Sequence, residues 1–104
     1  APLLVFFKGG GTVLTDSAQL INVKAVAELA KEYGFRIRVT GSADSATGSA
    51  EKNAAVAQGR AKYIADFLIS QGVSEDCIEQ SSVGGVNELS PAPANRNCII
   101  ELML

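Results

Sequence analysis

The spacing of apolar positions changes repeatedly along the chain, and each change marks an element. Leu3 to Phe7 is a continuous apolar run, which reads as a strand buried on both faces. Lys8 and the glycines Gly9, Gly10 and Gly11 end it. Thr15, Asp16 and Ser17 then offer N-cap side chains, with Asp16 and Gln19 spaced as a capping pair. Leu20, Val23, Val26, Ala27 and Ala30 recur at helical spacing up to about Tyr33, and Gly34 is a natural stop. Phe35, Ile37 and Val39 alternate with Arg36, Arg38 and Thr40, as in a strand with one wet face. Residues 41–50 are rich in Gly, Ser and Thr and read as a loop. The stretch 51–71 is an amphipathic helix with Val56, Ala57, Tyr63, Ile64, Phe67 and Leu68 on its apolar stripe, ended by Gly72. Residues 77–83 read as a third strand. Gly84-Gly85 and Pro91-Ala92-Pro93 punctuate the next connection. Residues 98–104 form a strongly apolar fourth strand.

The resulting order is β-α-β-α-β-β. Two right-handed crossovers would place both helices on one face of a mixed four-stranded sheet. The expected fold is therefore α+β, a two-layer sandwich built from residues 1–104 as a single domain.

One residue breaks the pattern. At about 100° per residue, Arg60 falls in the middle of the apolar stripe of the second helix, and Asn53 lies about two turns earlier on the same line. A guanidinium does not lose its charge, and burying it unpaired is costly. Arg60 is thus expected to have an anionic partner, supplied by the protein or by a ligand. Asp44, in Gly-Ser-Ala-Asp-Ser, is the internal candidate. It is expected just past the end of the second strand, where ligands of α/β sheets tend to bind. An internal Asp44–Arg60 ion pair and an open pocket for a ligand with a carboxylate and an ammonium both satisfy the pattern. Arg96, just before the last strand, is a third polar candidate, and a plain surface arginine fits that position equally well.

Composition narrows the chemistry. Apolar residues make up 47% of the 104 positions and net charge is −2, which suits one globular domain with a modest core. Basic residues form no patch and do not interleave with aromatics, which argues against nucleic-acid binding. No apolar run approaches the roughly 20 residues of a membrane span, so direct membrane insertion is not expected. The only Met is Met103, so the chain reads as a mature fragment or an excised domain. The absence of His removes histidine-dependent nucleophilic sites and metal sites. The two cysteines, Cys77 and Cys98, are too few for a structural zinc site and fit either one disulfide or two buried thiols. The glycine run lacks both the phosphate-loop and the dinucleotide spacings, and reads as a flexible turn. No catalytic constellation, metal or cofactor is indicated, so the chain is not expected to be an enzyme.

These residues together resemble the OmpA-like domain, the C-terminal peptidoglycan-binding module of many Gram-negative envelope proteins. That family carries a Gly-His-Thr-Asp loop, then a helix with Asn, Leu-Ser and Arg-Ala, and Asn-Arg-Arg-Val entering the last strand. Here the loop is Gly41-Ser42-Ala43-Asp44, the helix carries Asn53, Val56-Ala57 and Arg60-Ala61, and the last strand follows Asn95-Arg96-Asn97-Cys98. Leu68 to Val73 resembles the family's helix end, and the likeness spans nearly the whole chain.

The resemblance implies a non-catalytic module that anchors an outer-membrane or periplasmic protein to the cell wall. By position, Asp44 and Arg60 would hold the diaminopimelate of the peptidoglycan stem peptide. Asn53 would hydrogen-bond the ligand or hold the loop, and Arg96 would line the same pocket. The implied location is the periplasm, attached to an outer-membrane protein or lipoprotein. Several supports differ: Ser42-Ala43 replaces His-Thr, Val56-Ala57 replaces Leu-Ser, Asn97 replaces an arginine, and the loop after Asp44 is one residue longer. A degenerate structural or protein-interaction domain without ligand is the alternative that these changes raise.

Overall fold

A computed structural model of the chain describes residues 2–44, 49–86 and 95–104. Its strands are β1 (Leu3–Phe6), β2 (Arg36–Asp44), β3 (Ile78–Val86) and β4 (Asn97–Met103), and its helices are α1 (Leu20–Tyr33) and α2 (Ala50–Ser70). The sheet order is β1-β4-β2-β3. β2 runs parallel to β3, and β4 runs antiparallel to both β1 and β2. The sheet is mixed, as expected, and the last strand of the chain is an inner one.

Both helices pack into a single core. Val23, Ala27 and Ala30 of α1 and Ala61, Ile64, Ala65 and Leu68 of α2 meet Val5, Ile37, Val39, Cys98 and Ile100 of the sheet. Among the described residues the other face of the sheet has no helix. There Arg38 pairs with Glu79 at 3.3 Å, and the hydroxyls of Thr40 and Ser81 meet at 2.9 Å. The expectation that β1 is buried on both faces is therefore corrected. Val5 is buried, while Leu3, Leu4 and Phe6 are half-buried, because β1 is an edge strand of a two-layer fold.

Two further boundaries move. Residues 41–44 belong to β2 rather than to a loop, because Thr40 and Gly41 pair with β4 on one side and residues 37–42 with β3 on the other. Local composition pointed to a loop, but pairing with β3 that runs on to Asp44 outweighs it. Gly84-Gly85 lies within β3 at a register irregularity, where Ser42 opposes Val83 but Asp44 opposes Val86. Glycine serves such a bulge well. The Pro91-Ala92-Pro93 segment lies outside the described residues.

Asp16 caps a short 3-10 turn over Ser17–Gln19 by accepting from the Ala18 N–H at 2.8 Å. Gln19 does not close a capping box. Its side chain instead accepts from the Phe6 N–H at 2.7 Å and donates to the Phe6 carbonyl at 3.1 Å, extending the ladder at the free edge of β1. Gly34 ends α1 in the left-handed region at φ 72°.

Close helix–sheet packing depends on Gly41. A Cβ there would lie 2.0 Å from the Ala57 carbonyl oxygen and 2.7 Å from the Ala61 nitrogen. A side chain of any size at position 41 is thus incompatible with the seat of α2 on β2, which aims Asn53 and Arg60 toward the end of the sheet.

Cys77 and Cys98 are both free thiols, Cys98 buried and Cys77 half-buried. Cys98 pairs with Gly41 of β2, whereas Cys77 precedes Ile78, which pairs with Ile37 from the far side of β2. A whole strand separates them, well beyond the roughly 7 Å limit between bridgeable Cα atoms.

Candidate functional site

β2 ends where α2 begins its course along the sheet, and the chain after β1 turns over the same place. Phe7 bridges to Leu14, and the Lys8 N–H donates to the Val13 carbonyl at 2.8 Å. The glycine run lies in the turn between, with Gly10 at φ 79°. The turn, the last residues of β2 and the first turns of α2 enclose a cavity of about 260 Å³ lined by Gly9, Gly10, Ala43, Asp44, Lys52, Asn53, Val56 and Arg60.

Arg60 is 1% exposed and is the largest fully buried side chain among the described residues. Of the two alternatives for its anionic partner, the direct bond to Asp44 does not form. Nε donates to the Gly11 carbonyl at 2.9 Å, Nη1 to the Ser42 carbonyl at 2.7 Å and Nη2 to the Lys8 carbonyl at 3.1 Å. The guanidinium carbon stands 5.5 Å from the centre of the Phe7 ring, within cation–π range. Carbonyl dipoles and a π face solvate the charge without neutralising it. Burial lowers the pKa of Arg60, the Asp44 charge raises it again, and Arg96 lowers it. Three of the five N–H groups of a guanidinium are thus bonded. The remainder have no acceptor among the described residues.

Asp44 is the last residue of β2, not a loop residue, and is 2% exposed. Its Oδ2 accepts from Arg96 Nε at 2.6 Å. Arg96 lies behind the acid rather than on the cavity wall, with its guanidinium against Gly9, where a Cβ would come within 3.1 Å of Nη1. Of the alternatives open for Arg96, a plain surface position is thereby excluded. Asn53 is 8% exposed and lines the cavity. Its side-chain amide makes no hydrogen bond among the described residues.

The structure therefore brings Asp44, Asn53 and Arg60 to one cavity, with Arg96 in contact with Asp44. Sequence reasoning did not single out the glycine turn as a wall, nor Val56 and Lys52 as lining residues. Val56 sits one turn before Arg60 and one after Asn53, so helical spacing could have found it. The turn could not be found that way, because Gly9 and Gly10 lie far from α2 in the chain. Among the described residues no group of three or more His, Cys, Asp or Glu side chains could hold a metal ion.

The family model described as the OmpA family matches residues 6–97, which include β1's end, both helices and every residue of the cavity. The chain belongs to the OmpA family. Outer membrane protein 40 of Porphyromonas gingivalis is 44% identical over 63 residues, a stretch covering 61% of this chain and 17% of that protein. The OmpA-like domain of FopA1 from Francisella tularensis superposes with a TM-score of 0.82 at 18% identity, covering 98% of this chain and 71% of that one. The peptidoglycan-associated lipoprotein of Burkholderia pseudomallei gives a TM-score of 0.77 at 23% identity, covering 96% and 87%. The periplasmic domain of Helicobacter pylori MotB gives 0.76 at 18% identity, covering 98% and 74%. The OmpA fold is thus held in common at low identity. Among the described residues no helix is long and apolar enough to cross a membrane.

Proposed function

We propose that this OmpA-family domain is a non-catalytic peptidoglycan-binding module that holds the diaminopimelate of the stem peptide, anchoring an envelope protein to the cell wall from the periplasmic side. The observation that carries the reading is the incomplete bonding of the cavity wall. Asn53 and Arg60 line the cavity, and the Asn53 amide and the remaining N–H groups of Arg60 have no protein partner among the described residues. Buried polar groups are normally satisfied, so these are suited to a ligand. The cavity volume of about 260 Å³ lies near the lower end of small-molecule sites, about 300 Å³. That scale suits the tip of an amino acid rather than a sugar chain. A ligand carboxylate would accept from Arg60 in a charge-assisted pair, and the neighbouring ammonium would meet Asp44. Arg96 would keep Asp44 oriented.

A second reading has its own support. Arg60 is held by backbone carbonyls and Asp44 by Arg96, so both charges are stabilised without a ligand, as in a purely structural domain. Co-sedimentation with purified insoluble sacculi distinguishes the two. Wild type is expected in the pellet, and Asp44→Asn, Asn53→Ala and Arg60→Lys are expected to reduce retention. Arg60→Lys tests the fork directly, since an ammonium is a point charge. Equal retention of all four proteins, each verified as folded by circular dichroism, would support the structural reading instead.

A further inference from the structure

The charge around the cavity is unbalanced. Asp44 already bonds Arg96, while Arg60 and Lys52 both line the cavity with no carboxylate bonded to either among the described residues. Lys52 is exposed and stands at the rim, on the first turn of α2. That position is unfavourable for a cation. Ser49 is the N-cap and accepts from the Lys52 N–H at 3.2 Å, so Lys52 occupies the place where a capping box would have Glu or Gln. The positive end of the helix dipole also disfavours a cation there. A residue that opposes local helix chemistry while lining a cavity that already holds a buried guanidinium points to a ligand with more negative charge than a zwitterion.

We infer that Lys52 is a specificity-determining residue that makes the site prefer stem peptides ending in diaminopimelate, whose α-carboxylate is free, over stems in which a further residue is attached there. The inference rests on the reading proposed above. Diaminopimelate has an amino-acid group at each end of a short methylene chain. With one end seated between Asp44, Asn53 and Arg60, the other emerges at the rim. In a stem that terminates at this residue, the emerging carboxyl is an anion and meets the Lys52 ammonium. In a longer stem it is an amide and the terminal carboxylate lies one residue further out, about 3.8 Å along the chain, so Lys52 loses its close partner.

Isothermal titration calorimetry of the domain with a tripeptide stem ending in diaminopimelate, and with the tetrapeptide stem extended by one alanine, tests this. Wild type is expected to bind the tripeptide roughly two- to fivefold more tightly, the size of a partly exposed ion pair. Lys52→Gln should bring the two affinities together by weakening only the tripeptide, and Lys52→Arg should keep the preference. Added salt should shrink it in wild type. Equal affinity of wild type for both peptides, or a preference that survives in Lys52→Gln, overturns the inference while leaving the anchoring function standing. Binding of neither peptide by wild type overturns both.

Discussion

Arg60 shows how a buried charge is accommodated without a directly bonded counterion. Its place on an apolar stripe demanded an anionic partner on the argument that unpaired charge is expensive to bury. The fold instead supplies oxygen dipoles from the glycine turn and from β2, and the face of Phe7. Backbone carbonyls carry no residue-type signal, so neither the glycine turn nor Ser42 could be read as a partner of Arg60 from composition. At the other chemical extreme, Cys98 is fully buried among apolar neighbours, and burial pushes its thiol from 9.0 up to about 12. Above pH 9 the unfolded chain loses that proton while the folded chain keeps it. The native state then binds more protons, and stability falls as pH rises between the two values. Urea unfolding from pH 8 to 11 should show wild type losing up to about 1.4 kcal/mol per pH unit more than Cys98→Ala. Parallel pH profiles of the two proteins would show that the thiol is not shielded in this way.

At the scale of elements, the contact between α2 and β2 decides whether a site exists. Gly41 has no positive φ and sits in a regular ladder, so its requirement is one of space. Gly41→Ala should force α2 away from the sheet. The expected cost is at least about 3 kcal/mol, at the upper end of overpacking, read as a lowered denaturation midpoint with the slope unchanged. Gly84 contacts the same helix less tightly, its added Cβ lying 3.1 Å from the Ala54 nitrogen. Gly84→Ala should therefore cost clearly less, and equal losses at the two positions would contradict this account. Periodicity revealed the helix and the buried line through Asn53, Ala57, Arg60, Ile64 and Leu68, but Tyr63 of the expected stripe is exposed and Val56 and Phe67 are only half-buried. It missed the last residues of β2, because Gly, Ser and Ala have weak strand preference and become strand here only through pairing with β3, which continues past the last β4 partner at Gly41.

At the scale of the molecule, the sheet order places the final strand between β1 and β2. Ile100 is buried under α1 and α2, and Cys98 and Ile100 pair with residues of both neighbouring strands. Removing residues 98–104 should therefore abolish cooperative thermal unfolding, whereas a chain ending in a peripheral strand would tolerate the loss. A truncated chain that kept a sharp transition in circular dichroism would be incompatible with β4 as an inner strand. Strand order is also what assembles the cavity. β2 and α2 alone present Asp44, Asn53 and Arg60, but β4 positions Arg96 beside the acid and the turn after β1 closes the wall.

By itself the chain's pattern determined the elements, the two-layer class, and the line on α2 that carries Asn53 and Arg60. These are properties of local period, and burial of one face of each element follows from it. The motif residues also marked Asp44 and Arg96 as candidates, but not which charge would bond which. Tertiary structure decided that Arg96 takes the Asp44 carboxylate, that carbonyls hold Arg60, and that Lys52 reaches the cavity rim. Such pairings depend on distances across the sheet of a few ångströms between residues far apart in the chain, and these are set by strand order and by how closely a helix can approach a glycine.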